Sequence, residues 1–424
     1  ATQAWVEKQN DVTFGYLNDI PERTPMRERL TELWNYPKVG VPSQYGDRLF
    51  FSKNDGLQDQ SVFYVRPAPA ADAALSTTDD VTEEARVLFD PNTWSEDGTV
   101  ALSAFSPSPE GRYVAYGKSE SGSDWKTLYV QDVASGEALR DTIEWVKFSS
   151  ATWREDASGF YYGRYPEPQE GQAYEAQTKG QTIYYHELGT PQSDDRLVYE
   201  RPDNPKLGFS VAVFNDGRDL VIEASEGTSE KTEVYVKRLQ TETRAADDDF
   251  STLIEGFDAS YDVVGADDST VYVQTNLGAP TGRVIAIDRE SPERANWQTI
   301  VPEKDGTVLK DADLIGGRLV VRSLVDVKAQ VDVYRLDGTP ISTIDLPTLG
   351  SVYGLGGDPD RSTFYYGFTS FTYPSTVYRH DLDTGTSTVL FQPDVDVDTD
   401  RYRVRQVFYR SEERRVGKEC IVKC

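Results

Sequence analysis

Two histidines, His186 and His380, are the only imidazoles in 424 residues. Hydrolysis through a serine or cysteine needs a base beside the nucleophile and an acid that orients the base. Any such chemistry here would run through one of these two rings. His186 stands in IYYHELG and His380 in VYRHDLD, each near the end of a run that reads as a strand. Both read as strand-end residues facing solvent or a neighbouring loop. The nucleophile elbow G-x-S-x-G does not occur, so no catalytic residue is assigned in this chain.

The carboxylates offer no better constellation. DVDVDTD, Asp394 to Asp400, resembles a calcium loop at first sight. An EF-hand needs Gly at loop position six and Glu at position twelve. Counting from Asp394, those places hold Thr399 and Arg405, so the stretch reads as a solvated acidic linker. Asp247 to Asp249, in ADDDF, reads as a turn between strands. With this many acidic residues a glycosidase pair cannot be singled out. There is no P-loop, no G-x-G-x-x-G and no C-x-x-C. No cofactor and no metal are expected.

The elements that carry these residues are mostly strands. Tyr (25), Phe (17) and Trp (7) are plentiful while Met appears once, and aromatic and β-branched runs suit strands. The first 36 residues are the exception. Trp5, Val6, Phe14, Leu17 and Ile20 recur at helical spacing, and TPMRERLTELW predicts a second helix with Thr24 as N-cap and Pro25 in the first turn. Met26, Leu30, Leu33 and Trp34 share one face of it. That stripe packs either on the body of this chain or on a domain outside it.

From Val41 the period changes to two. GRYVAYGKSESGSDWKTLYVQDVASGE shows a plan of strand, polar turn, strand and Gly turn that recurs in seven similar units. Repeats of roughly 40–60 residues built of strands point to a β-propeller. One blade cannot bury both faces, whereas blades stacked around an axis do. The fold expected is all-β: a seven-bladed β-propeller preceded by a short N-terminal helical segment.

The net charge of -27 repels nucleic acid and anionic membrane, so neither is an expected partner. It fits a salt-adapted surface or a merely acidic domain equally. No run of about 18 apolar residues exists that would make a transmembrane helix. Both cysteines, Cys420 and Cys424, fall in the last five residues, so the fold relies on no disulfide. The chain opens at Ala1 without an initiator Met or a signal-peptide core, which reads as processed or cut from something longer.

Several stretches are more than generic. RERLTELWNYPKVGVPSQYGDRLFFSKNDGLQDQSVFYV (Arg27 to Val65), SPEGRYVAYGKSESGSDWKTLYVQDV (Ser108 to Val133) and YYHELGTPQSDDRLVYERPDNPK (Tyr184 to Lys206) resemble the prolyl oligopeptidase family of serine peptidases. So do FYYGFTSFTYPSTVYRHDLDTG (Phe364 to Gly385) and RVRQVFY (Arg403 to Tyr409). The likeness runs in order from about Ala4 to Tyr409.

The resemblance implies a two-domain parent, in which a seven-bladed propeller caps an α/β-hydrolase domain that cleaves short peptides after proline. It places the catalytic Ser, Asp and His after the propeller, and it implies no cofactor. The expected division is 1–40 as a helical segment packing on the hydrolase, 41–402 as the propeller, 403–409 as the start of the junction, and 410–424 as a non-native tail. That tail is basic and unlike the family. It reads as foreign sequence joined to a truncated gene, or as a naturally shortened gene. The chain alone is therefore expected to be inactive. Its partners would be its own missing α/β-hydrolase domain and, in the intact enzyme, proline-containing oligopeptides, with a monomer expected.

The likeness also puts a substrate-lining aromatic at Tyr161, in SGFYYGRYP, where an ordinary core tyrosine is the other reading. The compartment stays open between cytoplasm and periplasm. Two other functions compete. One is a stand-alone propeller that binds proteins or peptides, which needs the helices to pack on the propeller. The other is a propeller glycosidase or lyase, which nothing beyond acidity supports.

Overall fold

The computed structural model describes residues 2–69, 81–169, 178–239, 249–395, 398 and 401–408. Helix α1 (Thr2–Asn18) and helix α2 (Arg23–Trp34) lead into an all-β body. Helix α2 begins one residue before the expected cap. Glu22 occupies the N-cap without a side-chain bond, and Thr24 lies inside the first turn. Lys38 ties the end of α2 to the body, its Nζ donating to Trp34 O at 2.7 Å and Gly56 O at 3.2 Å.

The strands form six hydrogen-bonded sheets among the described residues, which corrects the expectation of seven separate blades. Five are discrete. The first, five-stranded, spans residues 38–89, and the others, four-stranded, span 207–254, 261–301, 307–343 and 351–391. Between the first and these lies one continuous eight-stranded sheet from Val100–Pro107 to Arg196–Tyr199. Its two runs of strands are joined where Val146 pairs with Arg164. Repeats counted on the sequence mark strand and turn, but not whether the last strand of one unit pairs with a strand of the next. The nine-residue strand Ala138–Val146 is long enough to do so.

The hydrophobic cores lie between successive sheets. Phe50 and Val65 of the first pack with Val114 and Tyr116 of the second. Ile183 and Tyr185 of the second pack with Phe209 and Leu220 of the third. Val221 and Val234 meet Val271 and Ile285, Val284 and Tyr272 meet Leu319 and Val321, and Val320 and Val331 meet Phe364 and Tyr366. A further cluster fills the eight-stranded sheet, joining Leu128 and Ile143 to Trp153 and Phe160. The ring closes where Val39, Leu49 and Phe51 of the first sheet pack on Tyr365, Val377 and Leu390 of the sixth. Each sheet thus buries both faces, which is the physical basis of a propeller.

Aspartates serve the hairpin turns. The Asp156 carboxylate accepts the Ser158 N–H at 3.0 Å, Asp267 that of Ser269 at 2.8 Å, and Asp337 that of Thr339 at 2.9 Å. An Asp that accepts from the backbone two residues on closes a turn without help from elsewhere. Part of the acidity is therefore turn chemistry. At Gly159 a Cβ would stand 2.1 Å from the His186 carbonyl oxygen, so that strand can approach its neighbour only with glycine there.

Candidate functional site

Both histidines stand next to the ends of their strands as expected, in Thr182–Glu187 and Tyr373–Asp381, but their rings are buried. His186, opposite Phe160 in the strand pair, is fully buried rather than facing solvent. Its Nδ1 lies 2.7 Å from Asp195 Oδ1 and its Nε2 2.9 Å from Asp141 Oδ1. Asp141 also accepts the Gly189 N–H at 2.6 Å, and Asp195 the Tyr162 hydroxyl at 2.6 Å. Burial alone would lower the His186 pKa, but hydrogen bonds to Asp141 and Asp195 and their charges raise it to about 9. Burial would raise Asp141, yet the His186 ring and the Gly189 N–H hold it below the usual carboxylate range. A charged ring locked between two carboxylates, with no route to substrate, is a structural clamp.

His380 occupies the matching place opposite Phe364, with its ring 5.1 Å from the Phe364 ring. It too is buried, with Nδ1 2.8 Å from Ser387 Oγ. Burial, opposed by the charge of Asp381, lowers its pKa to about 4. It is a neutral core residue near pH 7.

Tyr161 sits in Gly159–Arg164, where alternation turns Phe160 and Tyr162 to one face and Tyr161 to the other. Its ring packs 5.2 Å from that of Tyr185, among Ile183, Leu207 and Leu220, and is 5% exposed. Burial raises its hydroxyl to about 12 against the charge of Arg154.

The ring axis holds a group the sequence reading did not single out. The first strands of successive sheets contact one another, Tyr261–Ala266 with Thr307–Ile315 and that strand with Ser351–Gly357, so they line the axis. The turns that follow such strands bring together Glu110, Glu155, Asp216, Asp358 and Asp360. Burial and then the charges of Asp216, Glu110, Asp358 and Asp360 raise the Glu155 pKa. Burial, Asp216 and Asp358 raise Asp360. A Cβ at Gly217 would stand 2.4 Å from Glu155 Cβ, and the Gly317 N–H donates to Pro359 O at 2.8 Å. The only sequence signal is a repeated acidic turn, as in PEGR, NDGR and DPDR. No group of three or more His, Cys, Asp or Glu that could hold a metal ion occurs among the described residues. Of the stretches read from the sequence as an acidic turn and an acidic linker, residues 247, 248, 396, 397, 399 and 400 lie outside the described residues, as do Tyr409 and the tail from 410.

The helices present a second feature. Helix α2 buries no residue, and Trp5 (63% exposed), Phe14, Met26, Leu30 and Trp34 (62%) all stand in solvent. The stripe does not pack on the body of this chain. Near the end of the chain, Val404–Gln406 lies over the turns at Val327, Gly350 and Phe371 and lines a cavity of about 350 Å³ with them. Gln406 Nε2 donates to the Asp326 carbonyl there. Phe371, Val407 and Phe408 are exposed beside it.

The family described as the prolyl oligopeptidase N-terminal β-propeller domain matches residues 1–393. The chain belongs to the prolyl oligopeptidase family. A prolyl endopeptidase of Elizabethkingia meningoseptica is 34% identical over 97% of this chain and 55% of its own length. Prolyl oligopeptidase A of Amanita bisporigera is 30% identical over 90% of the chain and 52% of its own. A solved structure from a study of two prolyl endopeptidases and their inter-domain dynamics superposes with a TM-score of 0.86 at 33% identity, covering 97% of this chain and 58% of that one. The chain therefore spans about half the length of these prolyl oligopeptidases, and it matches their propeller portion. The family match covers the propeller and not a hydrolase domain, and among the described residues neither histidine stands with both a serine and an aspartate in hydrogen-bond reach. Among the described residues no helix is long and apolar enough to cross a membrane.

Proposed function

We propose that this propeller is the substrate-gating part of a serine peptidase that cleaves short peptides after proline, with the nucleophile, base and oxyanion hole supplied by an α/β-hydrolase domain. The ordered match of nearly the whole chain to the first half of prolyl endopeptidases carries this reading. Residues 1–40 form the segment that docks on the hydrolase, 41–402 the propeller and 403–409 the junction. The assembled enzyme is a monomer acting on proline-containing oligopeptides. The unburied α1 and α2 stripe favours this over a stand-alone binding module, which needs its helices covered by its own propeller.

If the stripe is a docking face, Leu30→Asp and Trp34→Asp leave the melting temperature of this chain unchanged, since exposed changes stay within about 0.5 kcal/mol. They lower concentration-dependent light scattering by removing an apolar patch. A drop of several degrees in melting temperature would mean that the helices pack on the propeller after all.

The substrate-facing role of Tyr161 belongs to the same proposal and rests on its hydroxyl end, since the ring is core. Tyr161→Phe in an assembled two-domain enzyme is expected to lower kcat/KM for prolyl peptides by about fivefold, on the order of one hydrogen bond. Stability should change little. Unaltered kinetics would remove Tyr161 from the substrate path.

A further inference from the structure

The seam between the first and sixth sheets holds a cation without a counter-charge. Arg379 lies directly across from Tyr365 and two residues beyond Val377, so it shares their face toward the first sheet. It is 4% exposed, and its Nε and Nη1 meet no hydrogen-bond partner among the described residues. A guanidinium stays protonated at any ordinary pH. Burying it unpaired costs several kcal/mol. Its surroundings do not neutralise it. Burial raises the Tyr365 hydroxyl, and the charges opposing that rise are Arg379, Arg66 and Arg361, all cationic. Tyr365 itself reaches Gln44 Oε1 only at 3.5 Å, and Thr388 is the neighbour on the other strand.

We infer that Arg379 anchors a buried site for a small monovalent inorganic anion, of which chloride is the probe, at the seam that closes the ring. The anion would accept from Nε and Nη1, the two donors left over, and would neutralise the buried Arg379 guanidinium. No strand ladder joins the two sheets among the described residues; a single backbone bond, Val81 N–H to Leu390 O at 3.4 Å, crosses there. Occupancy should therefore show in the stability of the whole chain.

The test is thermal melting of the 424-residue chain in sodium chloride against sodium gluconate at equal ionic strength, which holds screening constant. Above the dissociation constant the melting temperature should rise by about 1.5 °C per tenfold increase in chloride, as ligand linkage requires for a chain this long. Arg379→Met should abolish that increment. Equal melting in both salts, as when a water molecule fills the site, overturns the inference, and so does an Arg379→Met variant that keeps the chloride increment. If the variant does not fold, crystals of the wild-type chain grown in bromide decide. Anomalous density in contact with the Arg379 guanidinium supports the site, and its absence there refutes it.

Discussion

His186→Leu lowers the free energy of unfolding by about 3–5 kcal/mol, the cost of leaving buried charges without their partner. The variant strands Asp141 and Asp195, both essentially inaccessible to solvent, and each must then be neutralised or rehydrated. Replacing all three residues with apolar ones of similar volume should recover much of the loss, because a well-packed apolar cluster avoids the desolvation of the charges. The pH dependence has a definite sign. The folded-state pKa of His186 is raised to about 9, above an unfolded value near 6.5. Its contribution, on the order of 3 kcal/mol, is full below pH 6.5 and is lost as pH rises through 9. His380 behaves oppositely. Its folded pKa is lowered to about 4, so the unfolded chain takes up the proton first, and stability is lost as pH falls from 6.5 toward 4. Urea midpoints from pH 5 to 10 check both. A His186→Leu variant with the wild-type midpoint and the same alkaline slope would show that the clamp carries no stability.

A chimera in which this chain is followed by the hydrolase half of a relative such as the Elizabethkingia prolyl endopeptidase should cleave a short proline-containing peptide. It should leave a protein substrate such as casein at least about 100-fold less cleaved. The first part follows from supplying the triad and oxyanion hole, whose removal costs about a millionfold in kcat in serine peptidases. The second follows from the ring. Sheets that bury both faces leave a tunnel lined by their first strands, and Glu110, Glu155, Asp216, Asp358 and Asp360 gather on its axis. In the gating role proposed above, a narrow peptide segment passes along such an axis and a folded domain does not. Equal rates on peptide and protein would show that the propeller does not gate.

Much of this fold was legible in the sequence because its signals are local. Period-two runs, Gly turns and the start of α2 near Pro25 depend on neighbours a few residues away. What was not legible depends on partners far along the chain. Whether Val146 pairs with Arg164 decides how many sheets there are, and neither residue announces it. His186 reads as a strand end until Asp141, 45 residues earlier, closes over it. The carboxylates on the axis come from turns more than 200 residues apart, so no window could gather them. Glu22 displaced Thr24 as the cap because the helix is entered from a turn at Pro21 that no propensity specifies.

The most direct measurement is the turnover of a chromogenic prolyl peptide by this purified chain alone. No hydrolysis above background is expected, because both histidines are buried in the propeller, His186 between two carboxylates and His380, next to the Ser387 hydroxyl, with no carboxylate bonded to its ring among the described residues. Turnover that a serine-directed reagent abolishes would contradict that and would require an active serine within these 424 residues.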